Sequence, residues 1–294
     1  MSRLTAEICE YLESHGFGCD VQMRGGRQTI LVLSPTEGRT GIVLPVSMSA
    51  KYMDTAAKES AAVWRCIDEM SVQDGRYPLI IPEDRWRSSP ETIRPRLLAH
   101  LEIFTSLYAR NCEIRRIDKN TAKEFLERYH SYGYASCGYH YGIYVKRHTG
   151  HLKASSGNME PGTLAAVATF SNARKWIKGD QTIRSYEWTR YASLPDVRIS
   201  GAMGRVLSRF IEDAAPDDIM SYADLEWSEG MVYEALGFTA EGMKSPVSFR
   251  ISTHSWKRKA IGKAPDGNDE IIKEDDICYC NLGSCKYRLK LTDY

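Results

Sequence analysis

The sequence of 294 residues lacks the features that mark membrane, secreted and strongly basic proteins. No run of about 18 uninterrupted apolar residues is present to span a bilayer. The first residues carry an acidic side chain, Glu7, where a secretory signal has its apolar stretch. The formal net charge of +1 provides no global field for holding phosphates, so any nucleic-acid contact should be local. We therefore expect a globular protein of the cytoplasm.

Closely spaced metal ligands are also scarce. The eight cysteines are spread along the chain, apart from a closer group of Cys278, Cys280 and Cys285. Three thiols can ligate zinc, but no fourth Cys or His follows at the usual spacing. Buried, reduced thiols in a terminal hairpin are therefore the favoured interpretation, and we expect no bound metal.

Apolar spacing in the first part of the chain predicts an αββαβα order of elements. The predicted segments are a helix at 4–12, strands at 29–33 and 41–46, a helix at 52–70, a strand at 77–82 and a helix at 90–107. We assign them to a first domain of residues 1–110.

A second domain, residues 111–255, should begin with a helix and continue as a mixed sheet. Thr121 to Glu124 fits a capping box at the start of that helix. Strands are predicted at 141–146, 163–171, 184–194, 218–224 and 247–251, with a long hairpin loop over 148–161. Residues 256–294 should form an extension with a closing strand near 278–291. The predicted fold class is α/β (α+β).

The most informative stretch runs from Ser185 to Glu212. A strand ends at Pro195, a loop carries Arg198, Gly201 and Gly204, and an amphipathic helix follows. Glycines at a helix start let a diphosphate approach the free backbone N–H groups, which the helix dipole reinforces. The alternative, that both glycines only permit close packing, stays open from the sequence.

A second motif follows at a fitting distance. Gly230-Met-Val-Tyr233-Glu-Ala-Leu-Gly237-Phe238 predicts a short helix with Gly237 as a left-handed C-cap. With the glycine loop before it, this segment resembles the GNAT acyltransferase superfamily. The resemblance implies a coenzyme A pyrophosphate site and Tyr233 as the acid that protonates the leaving thiolate. Core packing is the other interpretation of Tyr233. The implied cofactor-binding residues are Arg198, Gly201, Met203, Gly204, Arg205 and Ser193, where Met203 replaces the family's small residue.

Longer blocks resemble phage-associated proteins that join a Vsr/Hef-like nuclease domain to a GNAT-like domain. The matching blocks are Pro82 to Trp86, Glu91 to Leu97, Tyr108 to Ile114, Ile117 to Leu126 and Ser221 to Gly230. Such nucleases need carboxylates on two strands to hold a divalent metal. The strands beginning at Arg27 and Thr40 contain none, and Glu37 lies in the turn between them. The resemblance therefore implies a degenerate, restriction-endonuclease-like first domain that docks or positions DNA.

The second-domain blocks are also similar to Mom-type DNA-modification proteins. That similarity rests on Glu187 to Arg190, Ser221 to Asp224 and the Gly230 helix. Strand alternation predicts that Glu187 and Arg190 point to opposite faces. Arg190 then contacts the acyl donor or a substrate phosphate, or else forms a buried ion pair with Asp224 or Glu226.

Proton handling and base stacking complete the expected site. Asp224 is rated equal to Tyr233 for moving a proton, although turn formation also explains it. Aromatic and imidazole groups from Tyr129 to Tyr141 are typical of a wall that stacks a base, or of a loop that packs on its own domain. The expected substrate-binding residues are Tyr129, His130, Tyr141 and Tyr222.

We therefore expect an acyl-CoA-dependent N-acyltransferase whose catalytic residues are Tyr233, Asp224 and Arg190. The thioester should lie between splayed strands near 189–194 and 221–224, and the amine acceptor should be a nucleic-acid base. The partners are then an acyl-CoA and DNA or another nucleic acid. The alternative is a non-catalytic nucleic-acid-binding or adaptor protein of phage or defence systems.

Overall fold

The computed structural model describes residues 1–34, 38–74, 77–147, 151–152, 159–262 and 275–294. The helices are α1 (Arg3–Glu13), α2 (Met53–Asp74), α3 (Glu83–Ser88), α4 (Pro90–His100), α5 (Lys119–Tyr129), α6 (Ala202–Ala214) and α7 (Met231–Ala235), with a 3-10 turn at Ala109–Asn111. The strands are β1 (Gly18–Arg24), β2 (Arg27–Ser34), β3 (Gly38–Val46), β4 (Leu79–Pro82), β5 (Thr105–Tyr108), β6 (Cys112–Arg116), β7 (Tyr139–Val145), β8 (His151–Leu152), β9 (Leu164–Phe170), β10 (Arg174–Lys178), β11 (Gln181–Ser193), β12 (Val197–Ser200), β13 (Asp218–Asp224), β14 (Thr239–Lys244), β15 (Ser248–Ser252), β16 (Arg258–Ala260), β17 (Asp276–Cys280) and β18 (Ser284–Lys290). None of the described helices is both long and apolar enough to cross a bilayer.

The chain forms two compact units, and neither is a continuous segment. The first unit contains Met1–Leu101, Asp224–Glu229 and Met243–Ser284. The second unit contains Glu102–Ala223, Gly230–Gly242 and Cys285–Tyr294. The division into domains at 1–110, 111–255 and 256–294, and the nuclease-like character of the first, stay predictions.

A four-stranded sheet in the order β1-β2-β3-β4 is the centre of the first unit. Strand β4 runs parallel to β3, and the other neighbours are antiparallel. Helix α1 buries Leu4, Ile8 and Leu12 in the same core as Val32 and Val43. Strand β1 escaped the sequence analysis because it is a half-exposed edge strand with few apolar residues.

A second, three-stranded sheet in the order β16-β15-β17 also belongs to the first unit. Helix α2 packs against it, since Ala56 shares a small core with Cys278 and Cys280. Burial raises the pKa of the Cys278 thiol. All eight cysteines are free in the structure, and Cys278, Cys280 and Cys285 are buried.

A buried ionic cluster joins distant segments of the first unit. Arg258 donates to both carboxylate oxygens of Asp84 and, at 2.5 Å, to Glu226, while Tyr279 donates to the other oxygen of Glu226. The side chains of Arg258, Glu226 and Asp84 are 6%, 4% and 1% exposed. Burial alone would lower the pKa of the Arg258 guanidinium, but the two carboxylates raise it well above its ordinary value.

The second unit is built on a large mixed sheet. Its strand order is β14-β18-β13-β11-β9-β7-β6, and β10 pairs with β11. On one face, α5 buries Phe125 and Leu126 against Val167. On the other face, Phe210 of α6 stacks on Phe170 with ring centroids 3.9 Å apart. A mixed α/β architecture with a multi-stranded sheet is therefore confirmed.

Three sequence predictions about elements of the second half were wrong. The N-cap of helix α5 is Asp118, three residues before the supposed capping box at Thr121. The Asp118 carboxylate accepts the N–H groups of Asn120 and Thr121, so the helix starts earlier than predicted. The strand expected at 247–251 belongs to the three-stranded sheet, and β14 takes the place expected for it. The expected closing strand is two strands, β17 and β18, in different sheets.

The first half contains one such error. The helix predicted over 90–107 ends at His100, and 105–108 form strand β5. The predicted loop over 148–161 and turn over 34–38 lie largely outside the described residues.

We expect Arg258→Met to destabilise the protein by about 3–5 kcal/mol, because two buried carboxylates lose their counter-charge. Chemical denaturation measures this free energy of unfolding. The neighbouring Lys257→Met is a matched control, since Lys257 is exposed and its loss removes the same charge. Equal stability of the two variants would contradict a role for the cluster in holding the unit together.

Candidate active site

Strands β11 and β13 pair over three residues and then separate. They are parallel, and the paired positions are Ser185 with Asp218, Tyr186 with Ile219, and Glu187 with Met220. The remainder of β11, to Ser193, pairs only with β9 on its other side. The separation therefore opens toward the carboxyl ends of both strands, as expected for a thioester site.

A β-bulge marks the point at which the strands part. Trp188 lies opposite Phe170 and Arg190 lies opposite Thr169, so Thr189 is the extra residue. A bulge bends its strand and increases the local twist, which turns the end of β11 away from β13. The Thr189 hydroxyl donates to the Thr169 carbonyl at 2.9 Å and lies 2.9 Å from the Cys137 thiol.

Tyr233 lies where the separation begins. Its hydroxyl is 2.9 Å from Ser221 Oγ, which is itself 2.9 Å from the Trp188 carbonyl oxygen. Trp188 and Ser221 are the first residues of β11 and β13 beyond the paired segment. The phenol of Tyr233 stacks on Tyr287 at 5.2 Å and meets Trp188 edge-on at 6.4 Å.

These contacts determine the protonation of Tyr233. Burial raises the pKa of the Tyr233 phenol above its ordinary value of 10.0, while the Ser221 hydroxyl lowers it in part. Ser221 has one hydroxyl proton, which it can donate to the Trp188 carbonyl or to a Tyr233 phenolate. The phenol is thus neutral at neutral pH, with an adjacent hydroxyl that can stabilise its anion.

The glycine motif forms the start of α6. Gly201 is the N-cap with φ of +78°, and no side chain caps the helix. Within the described part of the chain, the N–H groups of Ala202, Met203 and Gly204 have no acceptor. Strand β12 and then α6 connect β11 to the parallel strand β13, and from this connection we infer that the amino end of α6 lies toward the carboxyl ends of β11 and β13, where the separation opens.

Neighbouring side chains lie close to both glycines of the motif. A Cβ at Gly204 would lie 3.4 Å from Leu236 beside α7, and one at Gly201 would lie 3.7 Å from Ala109. Both contacts leave room for a methyl group, so close packing alone does not require these two glycines. The positive φ of Gly201 does favour glycine there.

The two predicted pyrophosphate arginines and Ser193 are already bound to backbone. Arg198 lies in β12, which pairs with β5, and not in a loop, and its guanidinium donates to the Val197 carbonyl at 3.4 Å. Burial lowers the pKa of Arg198. The Arg205 guanidinium donates to the carbonyls of Ala109 and Cys112, and Ser193 donates to Val197 at 2.9 Å. Among the predicted cofactor residues, the free donors are backbone N–H groups at the start of α6. The side chain of Met203 there is half-buried.

Arg190 and Asp224 also have structural contacts. The Arg190 guanidinium donates to the carbonyls of Gly133 at 3.1 Å and Thr189 at 2.7 Å. The ion pair considered with Glu226 is absent, because Glu226 binds Arg258. Asp224 accepts the Glu226 N–H at 3.0 Å, as a turn-former does. The bulge also places Arg190 on the same face as Glu187, so the prediction of opposite faces was wrong.

The predicted aromatic wall is divided. Tyr141 is fully buried, packs against Phe170 and Phe210 and donates to Asp213 at 2.8 Å, so its prediction as a substrate-binding residue is corrected. Tyr129 packs edge-on against Phe125 at 4.8 Å. The half-buried His130 accepts the Tyr132 N–H, and Tyr222 is 37% exposed. These last two side chains remain accessible enough to contact a substrate.

Tyr287 was not among the residues predicted for the site, and the side chains of Ser221 and Thr189 were given no role, although both lie in the strand segments expected to hold the thioester. Their signal was weak, because a serine and a threonine inside strands are ordinary, and β18 follows α7 only after an excursion of the chain through the first unit. Within the described residues, no group of three or more His, Cys, Asp or Glu side chains is arranged to hold a metal ion.

No family model and no curated protein matches the chain. Among solved structures, the chain is similar to a chain of the NatC complex bound to Gag peptide and CoA, with 13% identity and a TM-score of 0.34, covering 62% of this chain and 99% of that one. A Bacillus subtilis acetyltransferase in complex with CoA aligns with 13% identity and a TM-score of 0.31, over 62% and 99% of the two chains. A GNAT-family acetyltransferase from Bacillus anthracis aligns with 13% identity and a TM-score of 0.32, over 61% and 95%. At these values the alignments do not assign the chain to a family.

We expect Gly230→Ala to destabilise the second unit by more than 1 kcal/mol. Gly230 has φ of +87°, and an added Cβ would lie 2.6 Å from the Tyr287 ring. The ring and α7 must then move apart, which also disturbs Tyr233. Thermal denaturation tests this, with Gly204→Ala as the control that should change stability by less than about 1 kcal/mol. Equal shifts in the two variants would contradict the close contact with Tyr287.

Proposed function

We propose that the second unit is an acyl-CoA-dependent N-acyltransferase. The observation that carries this proposal is the separation of β11 and β13, with a protonated phenol at its closed end and unpaired helix amides at its open end. An extended acyl carrier with a diphosphate needs these groups in this order. The two motifs that resemble the GNAT superfamily fall at the start of α6 and on α7.

The chain offers donors for each part of the carrier. The amides of Ala202, Met203 and Gly204 would hold the pyrophosphate, where the dipole of α6 favours negative charge. The freed edge of β11 beyond the bulge would hydrogen-bond the extended arm, as a neighbouring strand does. Arg198 and Arg205, which bind backbone carbonyls, would shape this site and not contact the phosphates directly.

When bound, an acyl-CoA supplies a thioester, and transfer to an amine forms an amide and releases the CoA thiol. The neutral phenol of Tyr233 would give its proton to the leaving sulfur, and Ser221 Oγ would stabilise the phenolate. The proton that the amine nitrogen loses on forming the amide would then restore the phenol. Backbone N–H groups of β11 would polarise the thioester carbonyl. Asp224 remains a second candidate for moving a proton. The group involved would be its carboxylate, which accepts the Glu226 N–H in the turn.

Two variants separate binding from transfer. Met203→Glu places a carboxylate in the first turn of α6 and should weaken CoA binding about tenfold by isothermal titration, because it repels the diphosphate. Ser208→Glu adds the same charge on the exposed side of that helix and should leave affinity unchanged.

Tyr233→Phe should retain CoA affinity but slow thiol release at least about 100-fold.

The outcomes distinguish the alternatives. Absence of CoA binding by the unmodified protein would remove the transferase proposal and favour the non-catalytic adaptor. Normal turnover by Tyr233→Phe would remove Tyr233 as the acid and leave Asp224 to be tested by Asp224→Asn.

The acceptor that we propose is an amine of a nucleic-acid base. The support is the resemblance to Mom-type proteins, together with the accessible side chains of His130 and Tyr222. Mass spectrometry of nucleosides from DNA of expressing cells should then detect an acylated base, which Tyr233→Phe should abolish. Unmodified bases in cells that contain active enzyme would exclude DNA and favour a small-molecule or protein amine.

A further inference from the structure

The β10–β11 hairpin of the second unit is an exposed, two-stranded ribbon. All five residues of β10 are exposed, and β10 pairs with the first five residues of β11. A two-residue turn joins the strands, and its Gly179 has φ of +59°, the conformation that tight hairpins need. In the described residues, the outer edge of β10 has no neighbouring strand.

The ribbon carries cations on both of its faces. Side chains alternate along a strand, so Arg174 and Lys178 share one face and Lys175 lies on the other. The side chains of Arg174 and Lys175 make no hydrogen bond or ion pair with any described residue. Asp180 in the turn is the only carboxylate between Arg174 and Gln181. The local charge is therefore positive, although the whole chain is nearly neutral.

Two apolar side chains stand between these cations. Ile177 is 77% exposed and Trp176 is 38% exposed. The Trp176 ring packs edge-on against Tyr294 with ring centroids 5.4 Å apart, and the Lys178 ammonium donates to the main-chain oxygen of Tyr294 at 2.9 Å. Tyr294 thus packs against the middle and the turn end of the ribbon on the face of Trp176 and Lys178, whereas Lys175 and Ile177 lie on the opposite face.

Protection of a free edge does not explain this composition. Lysines on an edge strand hinder pairing with other chains, which accounts for Lys175 and Lys178. An exposed isoleucine and tryptophan have the opposite effect, because they make such an edge more prone to association. A partner that takes both cations and apolar groups explains the whole segment.

We propose that this hairpin binds duplex nucleic acid, with Arg174 and Lys175 on phosphates and Ile177 in the groove. The major groove of B-DNA, about 12 Å wide, admits a two-stranded β-ribbon. Strand β10 spans roughly 15 Å, so Arg174 and Lys175 at its start can contact phosphates that flank the groove while Ile177 near its end lies inside the groove. In other modes of DNA recognition, apolar side chains such as isoleucine contact base edges or insert between neighbouring base pairs.

Binding of the full chain to a fluorescein-labelled DNA duplex, followed by anisotropy over a series of salt concentrations, tests this inference. The unmodified protein should bind with a strong salt dependence. Arg174→Ala combined with Lys175→Ala should reduce the slope of log affinity against log salt by about 2, since each phosphate contact contributes roughly 0.9. Ile177→Ser should weaken binding without a change in slope.

Lys119→Ala combined with Lys123→Ala is the matched control. These lysines are exposed on α5, carry the same total charge and should leave the slope unchanged. Equal losses in the two double variants, or no duplex binding at low salt, would overturn the inference. Binding to single strands in preference to the duplex would also overturn it. Binding of an acidic protein without binding of the duplex would do the same.

The inference is independent of acyl transfer, because the binding measurement contains no acyl-CoA. A protein that binds DNA through the hairpin but does not bind CoA would refute the transferase and retain this surface. A protein that transfers acyl groups but does not bind DNA would support the transferase and refute this surface.

Discussion

The bulge at Thr189 is the constraint on which the candidate site depends. A regular β11 would continue to pair with β13, and their backbone groups would be satisfied by each other. The extra residue turns the strand away after Glu187 and releases one edge of it within the sheet. Such an edge is costly unless something else occupies it, and a ligand backbone is one way to satisfy it.

Tyr233 gains its chemical character from the same place. Its hydroxyl contacts Ser221, and Ser221 contacts the Trp188 carbonyl that the separation leaves without a strand partner. Tyr287 and Trp188 enclose the ring, and this enclosure raises the pKa of the phenol. Gly230 allows the approach of Tyr287 because it has no Cβ. One glycine, one serine and one bulge therefore position the phenol.

The two ends of the second unit's sheet have different properties. At the separation lie unpaired polar backbone groups and the uncapped start of α6, on which the proposed carrier site depends. At the opposite end of β11, the strand extends past its neighbours into the cationic β10–β11 hairpin. A transferase that modifies a polymer needs both a donor site and a surface for the polymer, and a nearly neutral protein can supply the second only by concentrating its charge.

The sequence by itself determined the elements whose signals are local. Periodicity located α1, α6 and the buried strands, the glycine at 237 ended α7 as predicted, and the motif at 198–205 located the start of α6. The burial of Tyr141, the backbone contacts of Arg190 and Arg205 and the assignment of β15 and β17 to another sheet depended on partners distant in sequence. The bulge too could not be foreseen, because its residues are ordinary for a strand and only pairing with β9 makes Thr189 the extra one. Local patterns determine which backbone conformation a segment adopts, whereas strand register and the satisfaction of polar groups are decided only when the whole sheet assembles.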